Sequence, residues 1–133
     1  MIEVSNLTKE KIGSKDLKDI AKRVLKSENK EGLAVSIGLV SSREIERLNR
    51  EYRKKNRPTD VLSFLYEDSG EIVLCPEVIR KNAKAFGTSF KKELNRILIH
   101  GLLHLVGCDH EGSRKEAAKM EEKENHYLIH AKL

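Results

Sequence analysis

The chain has 133 residues, 38% hydrophobic and 35% charged, which allows one globular domain with one core and little more. No apolar run approaches the roughly 20 residues of a membrane span, and the opening MIEVSNLTKE lacks the basic and apolar regions of a secretory signal. Two cysteines, Cys75 and Cys108, are too few for a disulfide framework, so the expected setting is cytoplasmic, with no membrane partner. The net charge of +5 admits a polyanionic partner without selecting one, and the high charge content is compatible with a thermophile.

In chain order, IEVSN reads as a short edge strand. Leu17, Ile20, Ala21, Val24 and Leu25 then recur at helical spacing, predicting an amphipathic helix over 14–26 with Ser14 as its N-cap. Leu33 to Val40 is rich in β-formers and predicts a central strand. Ser41-x-x-Glu44 has the form of a capping box, with Ile45, Leu48 and Tyr52 continuing at helical spacing toward Lys55, ahead of Pro58. Val61 to Tyr66 and Glu71 to Cys75 predict two strands joined by a turn at Asp68, Ser69 and Gly70. Pro76 suits the first turn of a helix running to Phe86.

A longer helix starts near Ser89, with Phe90, Leu94, Ile97, Leu98, Gly101, Leu102 and Leu105 as its buried stripe and Gly107 as its terminator. Ser113-x-x-Glu116 opens a last helix carrying Met120, Tyr127, Leu128 and Ala131 on one side. No repeat or linker divides the chain. The sum is an α+β domain: a small mixed four-stranded sheet with about five helices packed on it and the His100/His104 helix in the core.

Three of the five histidines fall within His100-Gly-Leu-Leu-His104-Leu-Val-Gly107-Cys-Asp-His110. The i, i+4 pair puts two imidazoles on one helix face, about 5–6 Å apart at Cβ. A third ligand requires the chain to turn back; Gly107 supplies that turn, bringing His110 under the helix. Three neutral nitrogens leave a divalent ion its full charge and an open position for water, as in catalytic rather than structural zinc. Water bound there ionises near neutral pH. Nickel or another borderline ion also fits nitrogen ligands.

The spacing matches the H-E-x-x-H-x-x-G-x-x-H motif of the metzincin proteases, except that Gly101 stands where their general base is. A zinc peptidase therefore has the ligands but lacks the base. HGLLHLVGCDH more closely resembles the H-G-x-L-H-L-x-G-x-D-H signature of the YbeY family of bacterial endoribonucleases. A second block agrees: Leu48-Asn49-x-x-Tyr52-Arg53, then Arg57-Pro58-Thr59-Asp60-Val61-Leu62-Ser63-Phe64, then Gly70-Glu71-Ile72-Val73-Leu74. The match runs from about Val40 to His110. Cys108 departs from it, standing where the family has tyrosine.

The resemblance implies a single-strand-specific metallo-endoribonuclease acting in 16S ribosomal RNA 3′-end maturation and ribosome quality control. It implies one zinc per chain on His100, His104 and His110, ribosomal RNA and the ribosome as partners, no nucleotide cofactor, and a functional role for Arg53. A guanidinium there suits phosphate clamping; alternatively it is a surface cation paired with an acid. Arg53 belongs to a cationic cluster with Arg50, Lys54, Lys55 and Arg57, which also reads as a solvated helix end.

Asp109 is placed either to accept a hydrogen bond from a metal-bound imidazole or to cap the last helix. Asp60 either polarises water or shapes the Pro58-Thr59 turn, and Glu93, two turns before His100, is a weaker base candidate. His126 and His130 form a second i, i+4 pair that also suits a helix C-terminus. Cys75 reads as a buried small hydrophobe, and Cys108 as a minor competitor for metal. A third functional reading keeps the metal structural and makes the protein a ribosome-binding factor. Direct attack by metal-bound hydroxide and attack by the ribose 2′-hydroxyl both remain open.

Overall fold

The computed structural model describes residues 1–107 and 113–131. The elements run β1 (Ile2–Asn6), α1 (Ser14–Ser27), β2 (Ala34–Leu39), α2 (Ser42–Arg53), β3 (Val61–Leu65), β4 (Ser69–Leu74), α3 (Pro76–Phe86), α4 (Phe90–Leu105) and α5 (Arg114–His130). The four strands form one sheet in the order β1-β2-β4-β3. β1 and β4 flank β2 in parallel, and β3 runs antiparallel to β4 as the other edge. The α+β expectation, with its small mixed sheet and five helices, is borne out.

Strand alternation sorts the side chains into two layers. Val35, Ile37 and Leu39 of β2 and Ile72 and Leu74 of β4 join α1, α4 and α5 in the larger core. Leu62, Val73 and Cys75 meet Val40 and Ile45 in a smaller core under α2. α3 bridges the two, with Ile79 in the first and Val78 against the second. Cys75 is fully buried, and that burial pushes its thiol up. Among the described residues no helix is long and apolar enough to cross a membrane.

Three expected helix starts carry their caps: Ser41 accepts from the Glu44 amide, Ser89 from Lys92 and Ser113 from Glu116, at 3.1–3.2 Å. α1 differs. It begins at Ser14, but Gly13 is its N-cap and no side chain caps it. A glycine cap costs only a few tenths of a kcal/mol relative to serine, and Asp16 in the first turn suits the helix dipole. The β3–β4 turn also differs, because β4 already begins at Ser69 and the Tyr66 amide bonds the Ser69 carbonyl at 2.8 Å. Gly70 is therefore a strand residue, present for space. A Cβ there would stand 2.8 Å from Leu105 at the end of α4.

α5 is tied to α1 by polar contacts at the end of that helix. Glu28 accepts from Lys123 at 2.7 Å and from the Tyr127 hydroxyl at 2.5 Å. Burial alone would raise the Glu28 carboxyl, but these two donors outweigh it and hold the group below its ordinary value of 4.5. Burial first, then the Glu28 hydrogen bond and charge, push the Tyr127 hydroxyl up to about 12. An unfolded tyrosine ionises near 10, so Tyr127 contributes stability in full below about pH 10 and loses it as pH rises toward 12. Glu28 has the opposite sign: its contribution is present above about pH 4.5 and is lost on acidification through its lowered value. Tyr127→Phe is expected to cost about 1–2 kcal/mol in urea denaturation at neutral pH. It should also flatten the decline in stability between about pH 10 and 12.

Candidate metal centre

α4 is enclosed on most of its circumference. Beyond the expected stripe, Ile99 and Leu103 are also fully buried, because α3, α1 and α5 pack around a helix already lying on the sheet. One face remains partly open, carrying Arg96, His100 and His104 at successive i, i+4 positions. The His100 and His104 rings meet edge to face at 4.7 Å between centroids, and their Nε2 atoms stand 3.1 Å apart. Two nitrogens sharing one tetrahedral zinc at about 2.05 Å each would stand about 3.3 Å apart, so this pair fits one ion. α4 ends at Leu105 with Val106 as its C-cap, and Gly107 takes φ 97°, the left-handed conformation that favours glycine past a helix end. His110, Asp109 and Cys108 lie outside the described residues, within which no group of three ligands gathers.

The ring orientation has a cause that the sequence pattern missed. Nδ1 of His100 contacts the Glu124 carboxylate from α5, a residue only 9% exposed. With Nδ1 engaged there, Nε2 is the nitrogen turned toward His104. A carboxylate among Met120 and Tyr127 on the buried side of α5 was the available signal.

Glu93 does not have the geometry of a base. It is 2% exposed, and both its oxygens accept from Arg96, at 2.9 and 2.7 Å. Arg96 is in turn held protonated, first by Glu93 and with smaller contributions from Glu124 and Asp60. Asp60 is thus brought toward α4 as well as shaping its turn, where Thr59 Oγ1 approaches its carboxylate at 3.4 Å. Its carbonyl accepts from the Cys75 amide.

Arg53, at the end of α2, is exposed and donates to the Ser63 carbonyl of β3 at 2.9 Å. The Ser63 hydroxyl approaches the Gly101 carbonyl at 3.3 Å, so two contacts link Arg53 to the helix of the histidine pair. Arg57 is exposed beyond α2, its carbonyl held by the buried Asn49 side chain at 2.9 Å. His126 and His130 pair edge to face at 4.7 Å on the exposed side of α5.

Residues 3–132 match the model of the family described as Endoribonuclease YbeY. The chain belongs to that family. The endoribonuclease YbeY of Petrotoga mobilis is 48% identical over 122 residues, spanning 88% of this chain and 85% of that protein. The one from Thermotoga maritima is 42% identical over 121 residues, spanning 87% and 81%. The solution structure of TM1509 from Thermotoga maritima is 41% identical with a TM-score of 0.70, covering 96% of this chain and 87% of the other. The resemblance read from the histidine motif and the second block is borne out.

Gly101 explains why the family motif carries no glutamate after its first histidine in this chain. A Cβ there would stand 3.2 Å from Ser63 Oγ, 3.3 Å from Val61 and 3.4 Å from Ile72, so a side chain would drive into the sheet. Alanine normally gains about 1 kcal/mol over glycine inside a helix. Gly101→Ala is expected instead to be net destabilising by about 0.5–2 kcal/mol, because overpacking outweighs propensity. Urea midpoints of the variant and wild type test this; a stabilised variant would refute the close-packing account.

Proposed function

We propose that this protein is a metal-dependent endoribonuclease that cuts single-stranded RNA at a centre held by His100, His104 and His110. The observation that carries the reading is the convergence of two imidazole Nε2 atoms at 3.1 Å on the open face of α4, in a chain of an endoribonuclease family. A zinc-class ion bound there would supply activated water at neutral pH and positive charge against the developing phosphorane. The chain's own residues do the rest. Glu124 holds the His100 ring by Nδ1, so that Nε2 stays available as a ligand. Arg53 presents a guanidinium from the β3 edge suited to gripping phosphate oxygens, and Arg57 adds charge along the same loop.

Among the described residues the two carboxylates nearest the pair are already engaged, Glu93 by Arg96 and Glu124 by His100 Nδ1, and Gly101 faces the sheet. A metal held by the histidines would itself supply the activated water, and a glycine where a peptidase of this motif carries its base disfavours the peptidase alternative. The physiological reading follows the family: ribosomal RNA as substrate, 16S 3′-end maturation and ribosome quality control as the process, and the cytoplasm as the setting.

The deciding experiment measures metal content and RNA cleavage together in wild type and His104→Ala, with casein offered beside RNA. About one equivalent of metal in wild type, with metal and RNA cleavage lost together in the variant, is expected. Cleavage that survives loss of the metal would sink the reading, and cleavage of casein alone would favour the peptidase. Glu124→Ala is expected to weaken metal binding on the order of 10–100-fold. Competition with a chelating indicator reads this directly, and Glu124→Gln, which keeps an acceptor, should recover part of it.

A further inference from the structure

The chain has three tyrosines, three phenylalanines and no tryptophan; two of those six rings meet at one exposed place, and a third follows two residues further along the same strand edge. Tyr52 at the end of α2 packs edge-on against Phe64 of β3, with 5.4 Å between centroids and 69° between planes. Tyr66, just past β3, stands two residues beyond Phe64, and its hydroxyl reaches Glu71, the cross-strand partner of Phe64. Desolvation and then Glu71 raise its hydroxyl, with Tyr52 close enough to add to the effect. Tyr52 is 55% exposed and Tyr66 56%, so their rings contribute to the surface more than to the core.

Charge frames this cluster. The Arg53 guanidinium lies over the Phe64 ring, 5.0 Å from its centroid, and donates through Nη2 to the Ser63 carbonyl. Arg50, Lys54, Lys55 and Arg57 are exposed around the same helix end. The one acid in that run, Glu51, is bonded by Arg47 at 3.0 Å, which removes much of its opposition to an anion. Glu71 accepts from the Tyr66 hydroxyl at 3.4 Å, and with Glu67 and Asp68 in the hairpin loop it marks the acidic limit of the patch.

Open ring faces bordered by guanidinium and ammonium groups match unpaired bases on a phosphate backbone. In a duplex the base faces are already stacked on each other and unavailable. An acidic peptide would satisfy the cations but leave the rings without planar partners.

We propose that Tyr52, Phe64 and Tyr66 form a stacking platform that receives unpaired bases of the RNA next to the phosphate gripped by Arg53. The proposal rests on the endoribonuclease reading and adds to it the device that selects single strands. Phe64 anchors Tyr52 and Arg53, and the two tyrosines offer the faces. The platform connects to the histidine pair through Arg53, Ser63 and Gly101.

The test uses the full-length, metal-loaded protein and a fluorescent 2′-O-methyl RNA single strand as a slowly cleaved analogue, read by anisotropy. Tyr52→Ala/Tyr66→Ala is expected to weaken binding roughly 10- to 100-fold. Its urea midpoint should stay near wild type, since both rings are exposed. Tyr52→Phe/Tyr66→Phe should restore most of the affinity, because stacking uses the ring and not the hydroxyl. A blunt hairpin of the same composition should bind wild type far more weakly than the single strand. Wild-type affinity in the Ala double variant overturns the platform, and so does a Phe double variant as weak as the Ala one. The endoribonuclease reading survives either result if Arg53→Ala still weakens binding. Failure of wild type to bind any RNA overturns that reading and the platform together.

Discussion

Gly101 lets α4 settle on β3 and β4 so closely that a methyl group there would stand 3.2 Å from Ser63 Oγ. That spacing sets where the histidine pair stands relative to the strand edge and to Arg53. It also allows the Ser63 hydroxyl to reach the Gly101 carbonyl, joining sheet and helix at the residue that follows His100. Once α4 lies this close, its other sides are filled by α1, α3 and α5, and the row Arg96, His100, His104 keeps the open face.

Around that row the charged side chains Glu93, Arg96 and Glu124 alternate in sign. Glu93 is buried against Arg96, Arg96 feels Glu124 and Asp60, and Glu124 holds His100. Each charge is partnered, which is what a partly desolvated row of ionic groups requires. On the far side of Ser63, Arg53 and its exposed neighbours Arg50, Lys54, Lys55 and Arg57 form a cationic patch, linked to the helix of the histidine pair through Ser63 and Gly101.

What could be read from the sequence was local. The i, i+4 histidines, the capping serines at 41, 89 and 113 and the positive-φ glycine at 107 depend on residues within a few positions of one another and appear as expected, whereas Ser14 yields its cap position to Gly13. What escaped depends on packing between elements distant in the chain. Glu124 becomes informative only when α5 lies on α4, 24 residues from its histidine partner. Glu93 looked like a base because helical spacing placed it on the histidine face; only its burial, with Arg96 across both oxygens, removes it. Gly70 read as a turn residue because glycine serves both turns and close approaches, and the Leu105 side chain that separates these is 35 positions away.

The clamp between Glu28 and α5 spans 95 residues to Lys123 and 99 to Tyr127. Contacts of such separation carry the largest loop-closure cost and gain little until the intervening chain is ordered. By tying α5 back to the end of α1, the clamp closes a loop that holds most of the domain, so whatever loosens it also loosens the helix that carries Glu124.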